Sequence, residues 1–271
     1  MRAFILSLPA RLQPVLIITG TIVLAFLIAS LFGFFFDAHQ LESNTDLISS
    51  VYQVLGTLYA ILLTFSLWGV WQNFTDAGNS VQNEAYGLVD LVHMTEFSVH
   101  LKNANVRQTA LAYAKCVVED EWCTLHARTH ASLSTSEKSR ALSLQLVAEV
   151  QNIVPHDPRE MAIFDQTLKT LNHWLDSRRT RILRAEGNSA KALWPLLTTG
   201  ALLLFGFHGL FVAKTVEIWV ALLTGLSLLV GLAFYLIFSL DCPFSGSLSI
   251  DTEPFEMAIN ILAAKNPNAM A

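Results

Sequence analysis

The chain has 271 residues, 53% of them hydrophobic and only 14% charged, whereas soluble domains carry about 25% charged residues. Its net charge of −5 says nothing by itself about nucleic acid, but no basic stripe interleaved with aromatics occurs, so no nucleic-acid partner is expected. Cys116, Cys123 and Cys242 make an odd count without a CxxC pair, which argues against a disulfide frame or a zinc ribbon.

The charges are segregated. Four blocks, Pro14 to Phe36, Val51 to Trp71, Leu193 to Val212 and Val216 to Leu240, contain no Lys, Arg or Asp, and Glu217 is their only acid. Each has the ~20 residues needed to cross a hydrocarbon core about 30 Å thick. Backbone in lipid must satisfy its own hydrogen bonds, so each block is expected to be helical. The first block is longer than the core of a signal peptide and is read as a membrane anchor.

Lys and Arg set the orientation. Arg2 and Arg11 precede the first block, whereas the loop Asp37 to Ser50 has three acids and no base. Of the 17 basic residues, 13 lie between residues 73 and 192, and only Lys214 falls on the opposite side of the membrane. The positive-inside rule then puts both termini and the central segment on the cytoplasmic side of the membrane. The expected divisions are 1–74 (membrane helices 1 and 2), 75–192 (a cytoplasmic helical domain), 193–240 (membrane helices 3 and 4) and 241–271 (a cytoplasmic tail).

The second membrane helix has no clear stop. Val81, Ala85, Leu88, Val92, Thr95 and Val99 recur at three- and four-residue spacing, which predicts a helix continuing to about Lys102. Asn105 is a candidate cap for a helix to about Thr129. Ser134 and Glu137 have capping-box spacing before a helix ending near Val154. Pro155-His156 breaks that helix. Asp157 then caps the next one, with Pro158 at its first position and Glu160 at its third, and this helix should run to about Ala185. No strand pattern or repeat occurs. The fold class is all-α: four membrane helices (2+2) around a helical insert. Apolar faces left over on the insert suggest packing against further copies of the chain.

Three stretches resemble the bacterial bestrophin-like membrane proteins. The first is Trp71, Asn73, Ala77, Val81 and Glu84-Ala85. The second is Arg178-Arg179-x-Arg181 leading to Leu193-Trp194 and Gly200. The third is Leu240-Asp241-Cys242-Pro243-Phe244-Ser245-Gly246, followed by Pro254-Phe255. Cys242 stands where the family is expected to carry a basic residue. The resemblance implies a 2+2 topology around a cytoplasmic insert and, through the likeness to bestrophins, a homo-oligomeric ion channel.

Candidate residues follow from spacing. Gln53, Thr57, Ala60, Thr64, Trp68 and Gln72 share one face of the second membrane helix, which suits a wet ion pathway. In the alternative, Thr57 and Thr64 bond their own helix carbonyls within a packed interface. Glu84 is a candidate for a cytoplasmic ring of carboxylates, or else for a salt bridge inside the insert. In the fourth helix, Ser227 and Gly231 have the small-xxx-small spacing of close helix packing. His208, alone among apolar residues, is a candidate gate or an interior histidine. Asp241, Pro243, Phe244 and Gly246 form a structural motif after the fourth helix. The carboxylate of Asp241 opposes the helix dipole unless paired, and Arg178, Arg179, Arg181 and Arg184 are candidate partners. Those arginines are equally placed to bind anionic lipid.

Glu119, Cys123, His126 and His130 lie at intervals of four, three and four. Two ligands from one helix face do not make a coordination shell, so no metal is expected from His126 and His130, and no cofactor. Neither a phosphate loop, GxSxG nor HExxH occurs, and no enzyme is expected. Two readings remain foremost: a homo-oligomeric channel, and a non-conducting scaffold or sensor whose insert binds a partner. Gly56 and Gly206 are poor support for a third, a secondary transporter with broken helices.

Overall fold

A computed structural model describes residues 12–35, 41, 43–97, 104–122, 137–185, 192–211, 215–245 and 248–264. The described residues are helical, with no strand among them. In chain order they form α1 (Leu12–Phe35), α2 (Thr45–Glu96), α3 (Ala104–Cys116), a π-helical turn (Val117–Glu121), α4 (Glu137–Gln151), α5 (Pro158–Ala185), α6 (Trp194–His208), α7 (Val216–Leu240) and α8 (Glu253–Ala263). They divide into two compact units. Met1–Phe74 with Gly187–Asp241 makes one, and Thr75–Glu186 with Cys242–Ala271 the other.

The membrane unit holds α1, the first part of α2, α6 and α7. Among the described residues, three helices, α1, α2 and α7, are long and apolar enough to cross a membrane. The expected third span is helical over only the 15 residues of α6. That is about 22 Å of helix, short of the ~30 Å hydrocarbon core. At Gly209, which caps α6, the chain runs so close to α1 that any Cβ would collide with the carbonyl of Ala29. The small-xxx-small pair on α7 also marks packing. Ser227 is fully buried, and a Cβ on Gly231 would lie 3.2 Å from the Ile18 Cα of α1. Outward faces are apolar, with Leu27 63% and Leu229 65% exposed, as lipid rather than water requires.

In the helical unit, the end of α2 lies in a core shared with α3, α4, α5 and α8. The predicted stripe is its buried face: Val81, Ala85, Leu88 and Val92 are all fully inaccessible. The helix ends at Glu96, nearly two turns before the expected end near Lys102, a residue outside the described ones. Arg107 marks that end, with Nε and Nη2 on the Glu96 carboxylate at 2.8 and 2.9 Å and Nη1 on the Leu262 carbonyl at 2.9 Å. The start of α5 is as the sequence predicts. The Glu160 N–H donates to the Asp157 carboxylate at 2.7 Å, and the His156 N–H to the Glu160 carboxylate at 2.8 Å, a reciprocal cap.

Candidate functional site

The six stripe residues Gln53, Thr57, Ala60, Thr64, Trp68 and Gln72 are all exposed. Tyr59, Leu63, Ser66 and Val70 of the same helix face inward and are buried. The Thr57 hydroxyl donates to the Gln53 carbonyl at 2.9 Å, and that of Thr64 to the Ala60 carbonyl at 2.8 Å. Their protons are therefore held by the helix. From these two hydroxyls only oxygen lone pairs remain to face outward, while the Gln53 and Gln72 amides and the Trp68 indole bring N–H donors to the same stripe. Gln53 and Gln72 are some 19 residues apart, about 28 Å along a helix. Both amides thus come near the two ends of the apolar block Val51 to Trp71, with Thr57, Ala60 and Thr64 between them.

Glu84 is not on such a surface. It is fully buried, held by Arg181 Nε at 2.6 Å and Nη2 at 3.1 Å, and by the Tyr113 hydroxyl at 2.6 Å. A carboxylate ring needs its oxygens in water, and both of these are hydrogen-bonded inside the unit, so the geometry fits the salt bridge inside the insert and not the ring. Arg181, also fully buried, donates through Nη2 to Glu121 at 2.7 Å. Glu121 sits in the π-helical turn, where one extra residue per turn re-aims a side chain. Arg178 joins through Tyr113 at 2.9 Å and Ser139 at 3.4 Å, and Ser139 donates a short hydrogen bond to Glu121. The sequence does not show this cluster, because its members come from α2, α3, α4, α5 and the π turn.

Two acids and two bases balance the charge. Burial favours loss of the Arg181 proton, but Glu84 and Glu121 outweigh it and hold the group well above its ordinary pKa. Burial, and after it the Glu84 carboxylate, push the Tyr113 phenol well above its usual range, so it serves as a neutral donor. Arg181 is too deeply buried to meet lipid, and Arg178 is nearly so, with 13% of its side chain exposed; the lipid-binding expectation fails for both. Arg179 and Arg184 are more open. Arg179 pairs with Asp176 at 3.3 Å and Arg184 with Asp76 at 3.0 Å.

Asp241 is buried and ends α7, its N–H bonded to the Ile237 carbonyl at 3.0 Å. Pro243 accepts the Ile250 N–H at 2.8 Å. Phe244 packs edge-on against Trp122 at 5.4 Å. Gly246, Cys123, His126 and His130 lie outside the described residues. Cys116 is buried, and burial followed by the nearby Asp120 carboxylate pushes its thiol up to about 11, which keeps it unreactive. His208 is an interior residue. Its Nδ1 lies 3.4 Å from the Tyr52 hydroxyl, and its ring sits among Tyr52, Phe211 and Trp219 at 5.7 to 6.1 Å.

A family model described as a Bestrophin-like domain matches residues 19–255. Among solved structures, a membrane protein is similar at 15% identity over 90% of this chain and 97% of its own, with a TM-score of 0.63. A mutant of a bacterial Bestrophin homolog from Klebsiella pneumoniae is similar at 14% identity over 92% and 97%, with a TM-score of 0.63. Another mutant of that homolog has 13% identity over 92% and 97%, with a TM-score of 0.59. No curated protein sequence matches the chain. At these identities the structures share a fold, while the family match spans most of the sequence; the chain is an integral membrane protein of the Bestrophin-like family.

Proposed function

We propose that the protein is a homo-oligomeric ion channel of the bestrophin type, with its pathway lined by the outward stripe of α2. The observation behind this reading is the exposure of Thr57, Ala60 and Thr64 within the apolar block Val51 to Trp71, on a helix whose opposite face is buried. Each hydroxyl keeps oxygen lone pairs free to accept, and a ring of copies enclosing water would solvate them. At Thr57 and Thr64, acceptors without free protons favour cations over anions in such a passage. Both termini and the helical unit face the cytoplasm of a bacterial inner membrane in this reading, which rests on the distribution of Lys and Arg.

Recording the purified protein in planar bilayers under asymmetric salt tests the proposal, with wild type compared with Thr64→Trp. Discrete currents abolished or reshaped by the substitution support the pore, and the reversal potential reports its charge preference. A second reading draws on the same hydroxyls. Because Thr57 and Thr64 are satisfied within their helix, the stripe also tolerates a dry, packed contact, as in a scaffold that recruits a cytoplasmic partner. Silence over voltage, pH and calcium, from protein shown to be folded and oligomeric, favours the scaffold.

A further inference from the structure

The π-helical turn that follows α3 sets which side chains beyond it point inward. Its closing bond runs from the Trp122 N–H to the Val117 carbonyl, five residues back, where an α-helix would use the carbonyl of Val118. Trp122 lies nine residues beyond Tyr113. In α geometry that is about 900°, which puts it half a turn from Tyr113, on the outer face. The one residue taken up by the π turn leaves about 800°, so Trp122 comes within about 80° of Tyr113. Ala114, about 100° round from Tyr113, is fully buried, so that arc faces inward. Trp122 is accordingly only 4% exposed, edge-on to Phe244 at 5.4 Å and to Phe255 at 6.2 Å. By the same count Glu121 moves from about 80° to within about 20° of Tyr113. There Arg181 holds it at 2.7 Å.

We propose that this turn has two registers and that the Arg181–Glu121 pair selects between them. With Glu121 paired, the extra residue stays in the turn and Trp122 is packed inward. With Glu121 unpaired, the turn relaxes to α and the extra residue passes into the chain beyond it. Trp122 then rotates by about 100°, out of its contact with Phe244 and Phe255. Either register closes its backbone hydrogen bonds, so side chains decide between them. Arg181 stays satisfied in both, since Glu84 keeps its Nε at 2.6 Å. Arg181 belongs to α5 and Phe244 to the segment after α7. A shift of α5 that withdraws Arg181 is therefore passed on as a turn of Trp122 away from Phe244. An element with two packed arrangements is what such a relay requires.

The test uses full-length protein in detergent with 5-fluorotryptophan in place of tryptophan. The Trp122 fluorine resonance is assigned by its loss in Trp122→Phe, and its exposure is read from the shift between light and heavy water. In the wild type that shift should be near zero. Glu121→Ala should raise it toward the shift of the free amino acid. Deleting Glu119, an exposed residue of the turn, supplies α geometry without moving Trp122, because eight residues then lead from Tyr113 to it. Adding that deletion to Glu121→Ala should return the resonance to its buried, insensitive state. A general loosening of the unit is not repaired by removing a residue. Trp122 buried in Glu121→Ala overturns the proposal, and so does exposure that persists when Glu119 is also deleted. Where Glu121→Ala does not fold, the deletion alone decides. Trp122 buried, with an unfolding midpoint no lower than wild type, supports the two registers; Trp122 exposed overturns them. No current is read, so a silent channel leaves the result intact.

Discussion

In the membrane unit, Thr57 and Thr64 of α2 turn away from the chain; in the helical unit, Glu84 of the same helix turns into it. Thr57 and Thr64 are exposed and bonded only to carbonyls one turn back. Glu84 is buried and bonded to residues 29 and 97 positions away. The surroundings account for the contrast. A hydroxyl can satisfy its proton locally and still show an acceptor to whatever lies outside. A carboxylate has no proton to place, and burying it requires a cation with good geometry. Outward polar groups therefore point to a function that needs something beyond the chain, whereas the inward charges point to architecture.

The sharpest way to break this contrast is to leave the inward charges unpaired. Arg181→Met strands Glu84 and Glu121, both buried, and should cost about 3–5 kcal/mol. Thermal unfolding of the purified protein, followed by loss of helical signal and by protease susceptibility between α3 and α5, checks it. Adding Glu84→Gln and Glu121→Gln to Arg181→Met removes the stranded charges and should recover much of the loss. A single variant as stable as wild type would show that the cluster is not what holds the unit together.

The membrane unit should respond to shape instead of charge. Gly209→Ala forces a methyl against the Ala29 carbonyl, a backbone atom that cannot rotate away. Overpacking of this kind costs typically about 1–3 kcal/mol, read as a lower midpoint of thermal unfolding in detergent. Gly225, with open space around it, serves as the control, since Gly225→Ala should be neutral or slightly stabilising.

What the sequence shows and hides follows the same division. Long apolar blocks fix α1 and α7 to within two residues, because lipid demands length and hydropathy that few other environments do. The start of α5 is legible because Asp157, Pro158 and Glu160 act on each other within one turn. The buried stripe Val81 to Val92 is legible because its period is local. The Glu84 cluster is not legible, since its charge partner Arg181 lies 97 residues on and Glu121 is brought round by a π turn that no propensity marks. Nor is the short reach of α6, because hydropathy continues past the point where the helix ends. Exposure of the α2 stripe follows from its spacing; the medium it faces does not.

The smallest effect separates local stability from the cluster. Asp157→Ala removes one half of the cap on α5, the bond accepted from the Glu160 N–H, and should cost about 1 kcal/mol. The partner bond, from the His156 N–H to Glu160, is the other half, so Glu160→Ala should cost a similar amount and the double variant less than the sum, as neighbours in one network do. Arg178 and Arg181 lie more than twenty residues further along the same helix, and fraying stays within the first turns. The Tyr113 phenol should therefore keep its raised pKa in Asp157→Ala, measured by ultraviolet titration against Tyr113→Phe. A phenol returned to its ordinary range by the loss of a cap this distant would mean that α5 responds as one rigid body, and that the charges inside the unit register events at its far end.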